Sequence, residues 1–195
     1  MRFLLFLCLG FLACKQNSPS NRIETKDDEP VEDRYKNCHM KVEEFGERFL
    51  KNDITLRDMS NCDSLLLVVV DTLLTAPKNE QLFWFSVLSK IAPQTDGYLS
   101  EGFGNMAYKY IETNPLQFAA NILGMKQDMP VKTNINNWVD TVYGEIGITN
   151  ENEEKEAVGI YINKMSAASR RFDPNARNII DMFCKQLKSK LSTTQ

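Results

Sequence analysis

Apolar residues recur at helical spacing through most of the chain, and the elements can be read from that rhythm. Tyr35, Cys38, Val42, Phe45 and Phe49 form one stripe, with steps alternating between three and four residues. Leu116, Ala119, Ala120 and Leu123 form a second, and Ile135, Trp138, Val139, Val142, Tyr143 and Ile146 a third. Val158, Tyr161, Ile162 and Met165 continue the pattern, as do Ile180, Phe183, Cys184, Leu187 and Leu191. No stretch alternates with period two. The run "SLLLVVVDTLL" could be a buried strand by its three valines, but it continues without a turn signal, so it is read as a helix over Asp63 to Thr75. Being apolar nearly all round, it is expected to lie centrally, covered by its neighbours.

Punctuation divides these stripes. "TNPLQF" places Asn114 as an N-cap with Pro115 at the first helical position, and "FDPNAR" repeats the device with Asp173 and Pro174. Asn61 or Asp63 can cap the central helix, and Thr95 or Asp96 a later one. "TNENEEKE" sets Asn150 as a cap with Glu151, Glu153 and Glu154 in the first turn, where the helix dipole favours negative charge. Helices are therefore predicted to start near residues 33, 62, 78, 96, 115, 133, 150 and 175. The expected fold is all-α: a single domain of about 7–8 helices packed as antiparallel hairpins. A helix followed by a proline-initiated one at Pro77 recurs at Pro115, 38 residues later, which hints at a short helical-repeat-like array.

The first thirteen residues belong outside that domain. Arg2 is followed by "FLLFLCLGFLA", an apolar run of eleven ending in Ala13. Eleven residues of helix rise about 16 Å against a hydrocarbon core of roughly 30 Å, so the run has the length of a signal-peptide core and not of a span. "FLAC" resembles a bacterial lipobox, the signal of bacterial lipoproteins, with Ala13 as the small residue before Cys14. The resemblance covers residues 1–14 only. It implies a signal peptide over 1–13, diacylglyceryl transfer to Cys14 and cleavage before it. Lys15 is not the aspartate that retains many lipoproteins at the inner membrane, so the resemblance implies the outer membrane. The alternative is an ordinary secretory peptide. "KQNSPSNRIETKDDEPVED" carries no aromatic residue, two prolines and only Ile23 and Val31 as larger apolar side chains. Such a stretch cannot bury enough surface to offset the entropy of ordering, so residues 14–32 read as the lipidated cysteine and a flexible tether. The helical domain is then 33–190, and 191–195 a tail.

Composition adds exclusions. With 26 acids against 23 bases the formal net charge is −3, which offers no basic field for a phosphate backbone, so no nucleic acid is expected as partner. His39 is the only histidine, and any His-based catalytic set must be built around it. Its neighbour Cys38 points about 100° away on a helix, so the pair is read as a boundary histidine beside a core cysteine. Cys38, His39, Cys62 and Cys184 lack the short spacings of a zinc site, and no metal or other cofactor is expected. Cys38 and Cys62 near the starts of consecutive antiparallel helices would lie farther apart than the roughly 7 Å a bridge tolerates, so no disulfide is expected.

Asp71 interrupts the central apolar helix and shares a face with Ser64 and Thr75, which makes it the candidate buried polar site. In "EGFGN", Gly102 and Gly104 carry no phosphate-binding fingerprint and are read as sites of close helix packing. In "QLFWFSVL", Trp84 aligns with Leu88 and Ile91, leaving Phe83 or Phe85 as candidates for a partner-binding patch. With no catalytic constellation, the sequence points to a membrane-anchored envelope module that binds or scaffolds a protein partner. The alternatives are a carrier of a small hydrophobic ligand, or an envelope enzyme using acids such as Asp71 or Glu101 with a tyrosine or lysine.

Overall fold

The computed structural model describes residues 37–95, 97–125 and 129–192, all within the compact unit that runs from Val31 to Gln195. The leader, Cys14, the tether and Tyr35 lie outside the described residues. Eight α-helices are present among the described residues, with no strand: α1 (Val42–Leu50), α2 (Asp63–Thr75), α3 (Gln81–Ile91), α4 (Gly97–Thr113), α5 (Pro115–Gly124), α6 (Val131–Thr149), α7 (Glu154–Ser169) and α8 (Pro174–Lys190). The fold is all-α, as the periodicity predicts.

Starts set by local chemistry fall where expected. Pro115 and Pro174 each open a helix, and the Asp173 carboxylate accepts from the backbone N–H groups of Asn175 and Ala176, at 2.9 and 3.1 Å. Asn114 stands at its N-cap position without a side-chain cap bond; its amide donates instead to Thr113 Oγ1. Other starts move. The start expected near residue 33 lies outside the described residues; among those described the first helix begins at Val42, because Lys41 is extended (ψ 150°) and residues 37–39 form a turn, so Cys38 and His39 sit before that helix. Asn150 closes α6, its amide donating to the Ile146 carbonyl, and α7 starts only at Glu154 after Asn152 adopts φ 70°. The acidic first turn of α7 is consequently Glu154 and Glu156. Pro77 opens no helix, since α3 begins at Gln81, so the echo with Pro115 has no counterpart in the helix starts.

Helices far apart in sequence close round one interior. α6 packs on α4 and α8, α2 on α4, α5 on α8, and α7 pairs with α8. Trp138, at the centre of α6, is fully buried and stacks flat on Phe85 of α3, with centroids 4.7 Å apart. Phe103 and Tyr110 of α4 and Phe118 of α5 contact the same indole at 5.6, 6.3 and 5.8 Å. Phe118 continues edge-on to Phe183 of α8 at 5.4 Å. Offset and edge-to-face rings of this kind add to the gain from burial. The buried indole N–H donates to Ser89 Oγ at 2.9 Å, so the centre holds no unmet donor there.

The central position expected for α2 thus belongs to α6. α2 buries Leu66, Val69, Val70 and Leu73 against α1, α3 and α4, but leaves Val68 at 53% exposure and Asp71 open to solvent. The glycines of α4 allow close packing, as read from the sequence. A Cβ on Gly102 would lie 2.7 Å from Leu67 of α2, and one on Gly104 2.9 Å from the Glu145 carboxylate of α6.

Candidate functional site

Residues 51–62 return the chain from the end of α1 to the start of α2, and a short 3-10 turn, Leu56–Met59, sets their course. Thr55 and Asp58 form a capping box about it: Asp58 Oδ2 accepts from the Thr55 backbone N–H at 2.8 Å, and Thr55 Oγ1 accepts from the Asp58 N–H at 3.4 Å. This fold-back lays Asn61 and Cys62 beside Cys38. A disulfide joins Cys38 to Cys62, whose Cα atoms are 4.9 Å apart. The expectation of no bridge is corrected here. It placed Cys38 on the first helix, whereas Cys38 precedes that helix and is free to meet the N-terminus of α2. The Asn37 amide donates to the Asp58 carbonyl at 3.3 Å and holds the same junction.

A cleft of about 500 Å³ opens next to the bridge. Leu56, Leu66 and Leu99 supply its apolar lining; Arg57, Ser60, Asp63 and Gln94 supply polar groups; Gly97 and Tyr98 complete it. Two segments distant in sequence therefore build it, the fold-back with the start of α2 and the junction of α3 with α4. Gly97 opens α4 with φ 45°, a left-handed conformation that glycine adopts without strain. Tyr98 follows in the first turn and is 64% exposed, the most exposed aromatic ring at this end. The cleft thus combines apolar lining and an exposed ring with polar groups of both charges.

Other residues singled out by the sequence fall elsewhere. Phe85 is fully buried against Trp138 and cannot present a partner-binding patch. Phe83 is half-buried; it lies over Gly46 of α1, where an added Cβ would come within 2.9 Å of its ring, and meets the Trp84 ring edge-on at 4.8 Å. Asp71, Ser64 and Thr75 do share a face, but that face is exposed, so the strip is solvated and Asp71 is not a buried site. His39 is exposed, and Cys38, being bridged, is no thiol nucleophile. Cys184 is buried, and burial pushes its thiol up to about 11, which keeps it protonated and unreactive at neutral pH.

One polar cluster lies along α4, α6 and α7. Burial raises the Glu145 carboxyl above its ordinary range, with Lys109 opposing and exposed Glu101 reinforcing. Glu112 pairs with Lys164 at 2.7 Å, and Tyr108, raised first by burial and then by Glu112, packs on Tyr161 at 4.6 Å. Glu145 fills the space above Gly104, so its shift comes with a packing role. Among the described residues no group of three or more His, Cys, Asp or Glu could hold a metal ion. None of their helices is long and apolar enough to cross a membrane.

No protein-family model matches the chain, and no curated protein or solved structure matches it.

Proposed function

We propose that the chain is an exported envelope lipoprotein, held to the outer membrane by lipid on Cys14, whose helical domain binds a protein partner through the cleft beside Tyr98. The observation that carries this reading is the Cys38–Cys62 bridge. Disulfides persist in oxidising compartments and are rare where thiols are kept reduced, so the bridge supports export independently of the leader. The lipobox-like "FLAC" supports acylation at Cys14, and two or three acyl chains give a stable attachment where one gives a marginal one. The binding role draws on the cleft, with its mixture of apolar, charged and aromatic groups. A carrier would need space in the interior, and rings packed round Trp138 occupy its centre.

The test is Cys14→Ser in the full chain, followed by detergent-phase fractionation and a gel run with and without reductant. The expected result is loss from the detergent phase with the bridge retained. A Cys14→Ser protein that stays in the detergent phase, or a wild-type protein whose Cys38 and Cys62 are free thiols in the cell, defeats the reading.

A further inference from the structure

We propose that the Cys38–Cys62 bridge is a site of thiol–disulfide exchange in the folded protein, and that opening it loosens one wall of the adjacent cleft. The inference is independent of Cys14 and of what the cleft binds. Three observations carry it.

The first is that the two bridged residues differ in access. Cys62 is 3% exposed, whereas Cys38 is half-buried in a turn ahead of α1, next to exposed His39. An incoming thiolate therefore attacks Cys38, since exchange depends on which sulfur can be reached. The second is where the leaving sulfur stands. Cys62 is the N-cap residue of α2, and its side chain makes no cap bond. A thiolate released there meets first-turn N–H groups and the positive end of the helix dipole, which favour negative charge. Asp63 follows it with the opposite effect, but is exposed, so solvent and salt screen its charge. The third is that the fold does not hang on the bridge. Ile54 and Met59 are buried and sink the fold-back into the core, and the Thr55–Asp58 capping box and the Asn37–Asp58 bond hold it locally. The rings about Trp138 lie on other elements. Ser60 and Asp63, on either side of Cys62, line the cleft, so release of Cys62 is felt there first.

The step is a two-electron exchange. The incoming thiolate bonds to Cys38 Sγ as the bond between the two sulfurs breaks, and Cys62 keeps the bonding pair and takes a proton from water. A second thiol, or the second sulfur of a dithiol, then displaces Cys38. Two external thiols are oxidised to one disulfide, and the bridge is reduced to two thiols. In an oxidising compartment the closed form is the resting one, and arrival of a thiol opens the wall.

The experiment uses the chain without its leader, carrying Cys14→Ser, in buffer free of denaturant. Millimolar dithiothreitol followed by iodoacetamide should label Cys38 and Cys62 and leave buried Cys184 unlabelled by mass spectrometry, with the far-ultraviolet circular dichroism unchanged. In the reduced protein, amide exchange should speed several-fold in residues 57–66 while α5 to α8 keep their rates. Oxidised glutathione should form a mixed disulfide with the Cys62→Ser variant, through Cys38, at least tenfold faster than with Cys38→Ser. A bridge that opens only when urea unfolds the interior, equal rates for the two variants, or unchanged exchange over 57–66 after reduction overturns the proposal. The wild-type measurements decide it even where a variant fails to fold. None of these outcomes bears on the anchor, which stands or falls by fractionation.

Discussion

The aromatic interior and the bridged end of the domain are held together by different physics. Around Trp138, rings from α3, α4, α5, α6 and α8 meet in one contiguous cluster. Its polar groups are paired within the cluster, Trp138 with Ser89 and Tyr110 with Asn121. At the other end, α1 contributes few core residues, Phe45 and Phe49 chief among them. That end relies on a disulfide, a capping box and one lysine. Lys90 of α3 donates to the Phe49 carbonyl and to Asn52 Oδ1, at 2.5 and 2.7 Å, and lies over the Phe49 ring. A cation at the C-terminus of α1 meets carbonyls that have no helical partner. Packing fixes the interior with little latitude, whereas the bridged end is pinned at a few points and leaves room for a cleft. Binding surfaces belong where few buried contacts must be disturbed.

The largest effect is expected where packing alone decides. Trp138→Ala removes the α6 ring on which α3, α4 and α5 converge, and truncation of a large buried aromatic costs about 3–5 kcal/mol. Urea denaturation followed by circular dichroism should show the midpoint collapsing, with every helix lost in one transition. A loss under about 1 kcal/mol would mean that the rings do not form the shared centre described here.

Breaking the bridge should do less and do it locally. Cys38→Ser/Cys62→Ser frees a loop closed over a sequence separation of 24, worth about 2–4 kcal/mol. Amide exchange should rise in α1 and residues 51–62 while the interior keeps most of its protection. Equal deprotection of α1 and α8 would erase the distinction between the two ends.

How much of this could be read in advance follows the same division. The starts of α5 and α8 were legible because a proline and its neighbour decide them within two residues. The stripe of α6 was legible because its 3.6-residue period runs uninterrupted through Ile135, Trp138, Val142 and Ile146. The bridge was not, because it depends on a fold-back whose direction is set by Thr55 and Asp58. The pattern Thr-x-x-Asp in "TLRD" is a capping-box signal and was the one available clue. The cleft was invisible for a similar reason: Leu56 and Leu99 meet only after α2 packs on α4. Phe85 was misassigned because a single helical stripe admits one buried face. α3 touches α1, α2, α5 and α6, so a second face is covered as well.

The smallest expected effect tests the helix that joins the two regions. α2 begins at the bridge and the cleft, and its buried residues run along one side only. An acid within an apolar run suggests a buried charge, whose replacement by alanine would shift stability by several kcal/mol in either direction. Asp71 instead lies on the exposed face with Ser64 and Thr75. The Thr75 hydroxyl is turned inward along its own helix, donating to the carbonyls of Thr72 and Asp71, at 3.3 and 3.5 Å. Asp71→Ala therefore removes a solvated carboxylate and gains slightly in helix propensity, so its effect should stay within about 0.5 kcal/mol. Thermal denaturation at neutral pH measures it directly. A change of 2 kcal/mol or more would place α2 in the interior after all, and α6 would lose its claim to the centre.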